Sequence, residues 1–380
     1  MKKIIVFLLT FILSFMVPAT TYANTLDKND ENVKAKSAIL MCLDTGDVLF
    51  AKNEYEHVSP ASVTKILALL IILEHIDSGK ISLTDKVTAS KNAVAMGGSQ
   101  IWLEEGEQMT VEELLKSVIV ASANDGCTAL GEYVAGSSVV FVKMMNDKAK
   151  KLGLEHTNFE NCTGLDDTVK NHYSCAYDLA VITREVMKYP IVQKYTTIWL
   201  DYLRNGETEL NNTNKLVNTY NGITGLKTGT TSNAGFCISA TASRDNMNLV
   251  AVILGSDTSQ DRFDSATYLL DWGFANFQVI TPEIDKSKIT AVKVLNGEEK
   301  SITPEFSNSA KLLTEKGDTK LEYEYKIKEK VASPIQKGDA LGEIIVKNNG
   351  NQVATIKLTS PKFIRKLTFS SILKIILSNI

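Results

Sequence analysis

The chain has 380 residues, 44% hydrophobic and 22% charged, with a net charge of −3. That length allows two domains with a sizeable core, and the composition is that of a globular protein rather than a disordered or fibrous one. The slight negative charge excludes a nucleic-acid protein that works through a basic surface.

Taken in chain order, the first residues read as a targeting segment. Lys2 and Lys3 precede an apolar run from Ile4 to Val17, and small residues follow up to Ala23. A charged start, a short apolar core and a small-residue exit describe a secretory signal peptide over 1–23, and hence an exported protein. The run is short for a membrane span, which needs about 20 apolar residues. Residues 24–36 are polar and are expected to be flexible. "SAILMCLDTGDVLFAKN" then alternates about Asp44-Thr45-Gly46-Asp47, a hairpin signal.

Helical patterns dominate from Ser59 to about Tyr189. "SPASVTKILALLIILEHID" is apolar almost all the way round, with Ser59 expected as its cap and Pro60 at its first position. "TVEELLKSVIVAS" opens with Thr110 and Glu113 spaced as a capping box. "SSVVFVKMMNDKAKKLG" closes on Gly153, and "CAYDLAVITREVMKY" stops at Pro190. Strands return in "GFCISATASRD" and "NLVAVILGSD", joined at Arg244-Asp245-Asn246, and "DRFDSATYLLDWGFANF" is a last helix. This order predicts an α+β domain over 37–280, with helices packed on an antiparallel sheet.

Composition shifts near Thr281. Short β-like runs and the turn pairs Asn296-Gly297 and Asn349-Gly350 predict a small all-β domain over 281–360. The tail "PKFIRKLTFSSILKIILSNI", 361–380, is basic and apolar, as expected of an amphipathic helix on an anionic membrane surface. Five cysteines (Cys42, Cys127, Cys162, Cys175, Cys237) form no CxxC and no zinc-like spacing, so they read as buried small hydrophobes.

Three short motifs carry candidate chemistry. Ser62 and Lys65, three apart at a helix start, share a face. Burial and the helix dipole both disfavour a cation there, which makes Lys65 a candidate base beside a candidate nucleophile. Alone the pair is weak, since Ser371 and Lys374 repeat the spacing in the tail. Ser122-Ala123-Asn124 falls at a helix junction and is equally cheap, since Ser90-Lys91-Asn92 has the same form. Lys227-Thr228-Gly229 leads towards a strand, where glycine lets a ligand lie against backbone and lysine with hydroxyls suits a carboxylate. Together the three form the Ser-x-x-Lys, Ser-x-Asn, Lys-Thr-Gly set of penicillin-binding proteins and class A β-lactamases.

On these motifs the chain resembles the low-molecular-mass penicillin-binding proteins that are D-alanyl-D-alanine carboxypeptidases. The likeness extends to "GSQIWLEEGEQMTVEELL", "ASANDGCTALGEYVAG", "KLGLEHTNF", "GLKTGTTSNAGF" and "LLDWGFANF", with Ala123 standing where some members have glycine. The resemblance implies a penicillin-binding-protein fold and a serine-type carboxypeptidase that removes the terminal D-alanine of peptidoglycan stem peptides. It implies Ser62 as the acylated nucleophile, Lys65 as its base and Ser122 as a proton relay helped by Lys227. Asn124 would hold a substrate carbonyl, Lys227, Thr228, Gly229 and Thr230 would line the carboxylate end, and Arg262 would lie near that carboxylate. The N–H groups of Ser62 and Thr230 would form an oxyanion hole. No metal or organic cofactor is implied, β-lactams would acylate Ser62, and the protein would work at the outer face of the membrane.

Two alternatives share the motifs. A class A β-lactamase needs a further glutamate in a Glu-x-x-x-Asn loop, and Glu155 and Glu160 in "GLEHTNFENCTG" do not match it. A non-catalytic binder of wall peptides would keep the cleft without the reaction. A Ser-His-Asp hydrolase lacks its motif, and His57, His75, His156 and His172 read as surface or packing residues.

Overall fold

The computed structural model describes residues 26–167, 169–306, 311–317 and 320–369. Among the described residues the chain folds as two compact units: 26–167 and 169–283 with 311–317, and 284–306 with 320–369. The larger unit begins with hairpin strands β1 (Ser37–Cys42) and β2 (Val48–Lys52). The helices α1 (Lys65–Asp77), α2 (Val111–Val120), α3 (Asn124–Ala135), α4 (Ser138–Lys151) and α5 (Ala176–Val186) follow. Then come a small hairpin, β3 (Leu200–Leu203) and β4 (Thr208–Asn211), the strands β5 (Ile223–Thr231), β6 (Gly235–Arg244) and β7 (Met247–Ser256), and helix α6 (Ser259–Asn276).

The main sheet runs β2-β1-β7-β6-β5, antiparallel throughout. Its central strands alternate between two apolar faces, as a period of two requires. Ile39, Met41, Val250 and Val252 join the core of the helical block, while Leu40 and Leu249 meet α6 at Gly273. Helix α1 explains its own sequence: every residue from Lys65 to Leu73 is buried, so it is the central helix of the block and has no polar face to show.

The capping box at Thr110 and Glu113 forms as expected, and Asp245 and Asn246 turn β6 into β7 with positive φ at both. Three local expectations shift. The polar lead is anchored: Val33 is buried, Lys36 N–H donates to Leu254 O, and Tyr268 Oη donates to Asp30. Ser59 does not cap the helix, because its hydroxyl donates to Asp166 Oδ2 at 2.7 Å; a 3-10 turn, Ala61–Thr64, precedes α1 instead. Pro190 ends one helical stretch by starting another, Pro190–Thr196, where its missing N–H costs nothing.

The smaller unit is all-β, with a three-stranded antiparallel sheet of Leu321–Ile327, Ala340–Asn348 and Asn351–Thr359 and an Asn349-Gly350 turn. The expected boundary at 280 is too simple, because Leu312–Glu315 pairs with Phe277–Ile280 in the larger unit. Nor does a helix begin at 361. Ile364 bridges Ile335 and Lys366 bridges Gly297, so this stretch is extended against its own domain. The rest of the expected membrane helix, 370–380, and the signal segment, 1–23, lie outside the described residues.

Candidate active site

The 3-10 turn presents Ser62, half-buried, one helical turn before Lys65. Lys65 is fully buried; its Nζ donates to Ser62 Oγ at 2.9 Å and to Thr163 O at 2.8 Å. Burial pushes its pKa down to about 8 from the usual 10.5, because removing water penalises the charged form. The turn fits only because two glycines face it. A Cβ on Gly164 would lie 1.8 Å from Ala61 O, and one on Gly229 would lie 2.8 Å from both Pro60 O and Ser62 N. Gly229 therefore lets β5 run directly against the backbone of the nucleophile turn.

Strand β5 ends the order of the sheet, so its outer edge is not paired within it. An edge strand can accept an extended peptide by backbone pairing. Lys227 on this strand is buried, and its Nζ donates to Thr228 O at 2.9 Å. Its pKa lies well below the ordinary lysine value, first through burial and then through the charges of Lys65 and Arg262. Thr228 Oγ1 donates to Thr213 Oγ1 at 2.7 Å. Arg262, in the first turn of α6, donates to Gly229 O at 3.1 Å and to Thr230 Oγ1 at 3.0 Å. Two lysines and an arginine thus converge, and such a site favours an anionic group.

The Ser122-Ala123-Asn124 motif forms the junction of α2 and α3. Ser122 has a φ of 64°, and its buried Oγ has no hydrogen-bond partner among the described residues. Asn124 donates through Nδ2 to Gly97 O at 2.6 Å, and its Oδ1 likewise has no partner among them. Unpaired buried polar atoms are costly and rare in folded proteins. Here two of them lie within three residues of one another.

All nine residues singled out from sequence lie in this larger unit, and the contacts above bring the Ser62–Lys65 turn against the Lys227-Thr228-Gly229 strand. Sequence reasoning missed three participants. Thr163 holds Lys65 through its backbone carbonyl, which no side-chain pattern could signal. Thr213 and Asp166 act from loops; Asp166 Oδ2 accepts from both Ser59 and Thr231, at 2.7 and 2.6 Å, tying the nucleophile turn to the end of β5. The histidines stand apart, as expected. His172 is a packing residue: it is buried, its Nε2 lies 2.8 Å from Thr64 Oγ1, and burial lowers its pKa to about 4. Glu160 is not poised over the nucleophile, since its carboxylate accepts from the amides of Lys170 and Asn171. The five cysteines are buried free thiols.

Residues 23–258 match the D-alanyl-D-alanine carboxypeptidase family of peptidase type S11, and 277–366 match the C-terminal domain of penicillin-binding protein 5. The D-alanyl-D-alanine carboxypeptidase DacF of Bacillus subtilis is 40% identical, over 98% of this chain and 97% of that protein. The chain belongs to the D-alanyl-D-alanine carboxypeptidase family. Within that family the fold recurs: penicillin-binding protein 5 from Haemophilus influenzae superposes with a TM-score of 0.78 at 28% identity, covering 88% of this chain and 98% of that one. Penicillin-binding protein D2 from Listeria monocytogenes, in its ampicillin-bound form, does so at 0.58 and 28%, covering 64% and 98%. This carboxypeptidase thus joins a catalytic domain of penicillin-binding-protein type to an all-β domain.

Proposed function

We propose that this carboxypeptidase removes the terminal D-alanine of peptidoglycan stem peptides through an acyl-enzyme on Ser62. The observation that carries the reading is the 2.9 Å contact of Ser62 Oγ with the buried, low-pKa Lys65 Nζ. Neutral Lys65 takes the Ser62 proton as the hydroxyl attacks the penultimate D-alanine carbonyl. The N–H groups of Ser62 and Thr230 receive the developing oxyanion, where each donor is worth about 3 kcal/mol. The close approach of Gly229 to Ser62 N supports that pairing. Ser122 Oγ, near-buried and unpartnered, relays a proton to the leaving amine with Lys227 behind it. Lys227, Thr228, Gly229, Thr230 and Arg262 receive the terminal carboxylate.

Asn124 fixes the acyl side of the substrate. With one N–H turned to Gly97, it offers Oδ1 to a substrate N–H as well as its second N–H to a carbonyl. D-alanine leaves, and water then hydrolyses the ester. β-Lactams mimic the substrate and acylate the same serine. The charged-apolar-small run at 1–23 supports export, and the basic apolar tail supports attachment at the outer face of the membrane; among the described residues no helix is long and apolar enough to cross one.

The test is D-alanine release from a peptide ending in D-Ala-D-Ala, with a fluorescent penicillin as active-site label. Release by the wild type, with release and label both lost in Ser62→Ala, is the expected result. A label that survives in Ser62→Ala contradicts the choice of nucleophile. Rapid turnover of the penicillin would instead favour a β-lactamase.

A further inference from the structure

Two of the histidines meet each other. His57 and His156 are 99 residues apart in sequence, yet His57 Nε2 lies 3.1 Å from His156 Nδ1. Other contacts hold each ring in place. The His57 ring stacks on Tyr173, with centroids 4.3 Å apart and planes 12° from parallel. The His156 ring lies 5.2 Å from the Tyr55 ring, and the His156 N–H donates to the buried Asp178 at 3.0 Å. Val58 bridges Ser174 and Asn158 bridges Tyr173, so the backbones that carry both histidines are tied to one shared segment.

A hydrogen bond between the rings is a weak reason for so placed a pair. Two neutral imidazoles offer each other one N–H and one lone pair. His57 is exposed and His156 half-buried, so water competes for that bond and its net contribution is small. A metal ion accepts a lone pair from each ring at once. With metal–nitrogen bonds of about 2.0–2.1 Å, two nitrogens 3.1 Å apart subtend about 100° at the ion. That angle lies between square-planar and tetrahedral coordination. Imidazole nitrogens suit zinc, copper and nickel rather than magnesium or calcium. Among the described residues no cluster of three or more His, Cys, Asp or Glu completes a ligand set, so water fills the remaining positions, as in an open site. Glu56 and Glu155, each next to one histidine in sequence, are exposed and make the same segments attractive to a cation.

The place gives the pair a consequence. His57 leads through Ser59 and Pro60 into the nucleophile turn. The segment of His156 runs on to Thr163, whose carbonyl holds Lys65. We propose that His57 and His156 bind one divalent transition-metal ion of the zinc, copper and nickel class, which staples these two segments together. The ion takes no part in the acyl transfer, so the proposal stands apart from the carboxypeptidase reading.

The test is a calorimetric titration of the untagged, chelator-treated full chain with zinc chloride at neutral pH. One ion should bind, with a Kd on the order of 10 μM, because two of the four ligands of a structural zinc site are present. His57→Gln and His156→Gln should each weaken binding by at least about tenfold. His75→Gln should leave it unchanged, since that ring lies against Ile71 O within its own helix. Zinc at about 100 times its Kd should raise the thermal midpoint by a few degrees, and the rise should vanish when both histidines are changed. With copper(II) as the probe, electron paramagnetic resonance should show two imidazole nitrogens in the wild type and one in either single variant. The wild-type spectrum tests the site even if a variant fails to fold. No saturable zinc binding below about 1 mM, a hundredfold above the expected Kd, overturns the proposal. So does unchanged affinity in both His57→Gln and His156→Gln, or a copper spectrum without coupling to two nitrogens.

Discussion

The two units bury polar groups in opposite ways. Among the described residues, the all-β domain buries Ser333 and Ser360 and no charged side chain. The catalytic unit buries Lys65, Asp125, Asp178, Lys227 and Arg262. Burying an ionisable group costs free energy unless it is paired or neutralised. One unit therefore carries a cost that the other avoids, and three of these five charges converge on the wall around Ser62. The lesson is that chemistry here is concentrated where the fold is least comfortable. The β domain follows the ordinary rule that interiors are apolar.

That contrast can be broken in graded ways. The largest effect is expected from Ser62→Ala, which should abolish penicillin labelling and D-alanine release while leaving the unfolding transition in place. Lys65→Met should lower the acylation rate by roughly 10³-fold, within the range of a lost general base. It should also raise the thermal midpoint at pH 7, because the buried amine is a burden on stability. The sign follows from linkage. The folded-state pKa of about 8 lies below the ordinary 10.5, so the penalty is fully present below pH 8 and fades as pH rises towards 10.5. Its ceiling is ~3 kcal/mol. A scan of the midpoint against pH should show the gain of Lys65→Met shrinking over that window.

Arg262→Gln should raise KM for the peptide by about tenfold with a smaller change in kcat, as expected for one charged hydrogen-bond donor at the carboxylate; initial-rate kinetics separate the two. The smallest catalytic effect belongs to the other unit. Leu341, 1% exposed in the β-domain core, should cost that domain about 2–5 kcal/mol on change to alanine. The denaturation midpoint should move while kcat/KM stays within twofold. A large loss of turnover in Leu341→Ala would dissolve the contrast between the units.

Much of this was legible in sequence because the decisive residues act through side chains at short spacings. Ser62 and Lys65 lie one turn apart, so their contact follows from helix geometry, and an all-apolar helix around a lysine already implied a buried amine. The Thr110–Glu113 box and the Asp245-Asn246 turn were local rules, and local rules survived. What escaped was long-range or backbone-borne. Thr163 contributes a carbonyl, and Asp166 ties Ser59 to Thr231 across the chain, which also explains why Ser59 proved no cap. The return of Leu312–Glu315 to pair with Phe277–Ile280 is a tertiary choice that composition could not announce. Trp102 lies within a stretch that resembles the family, but its positive φ of 57° is a backbone property that no residue pattern announces.

The central claim is that burial turns Lys65 into the base that activates Ser62. The pH dependence of kcat/KM for D-alanine release tests it most directly. The account predicts a rising limb with an apparent pKa of about 8 as Lys65 loses its proton, present in the wild type and absent from the residual activity of Lys65→Met. A rising limb near 8 that persists in Lys65→Met, or a wild-type profile that is flat from pH 6 to 9, would contradict it.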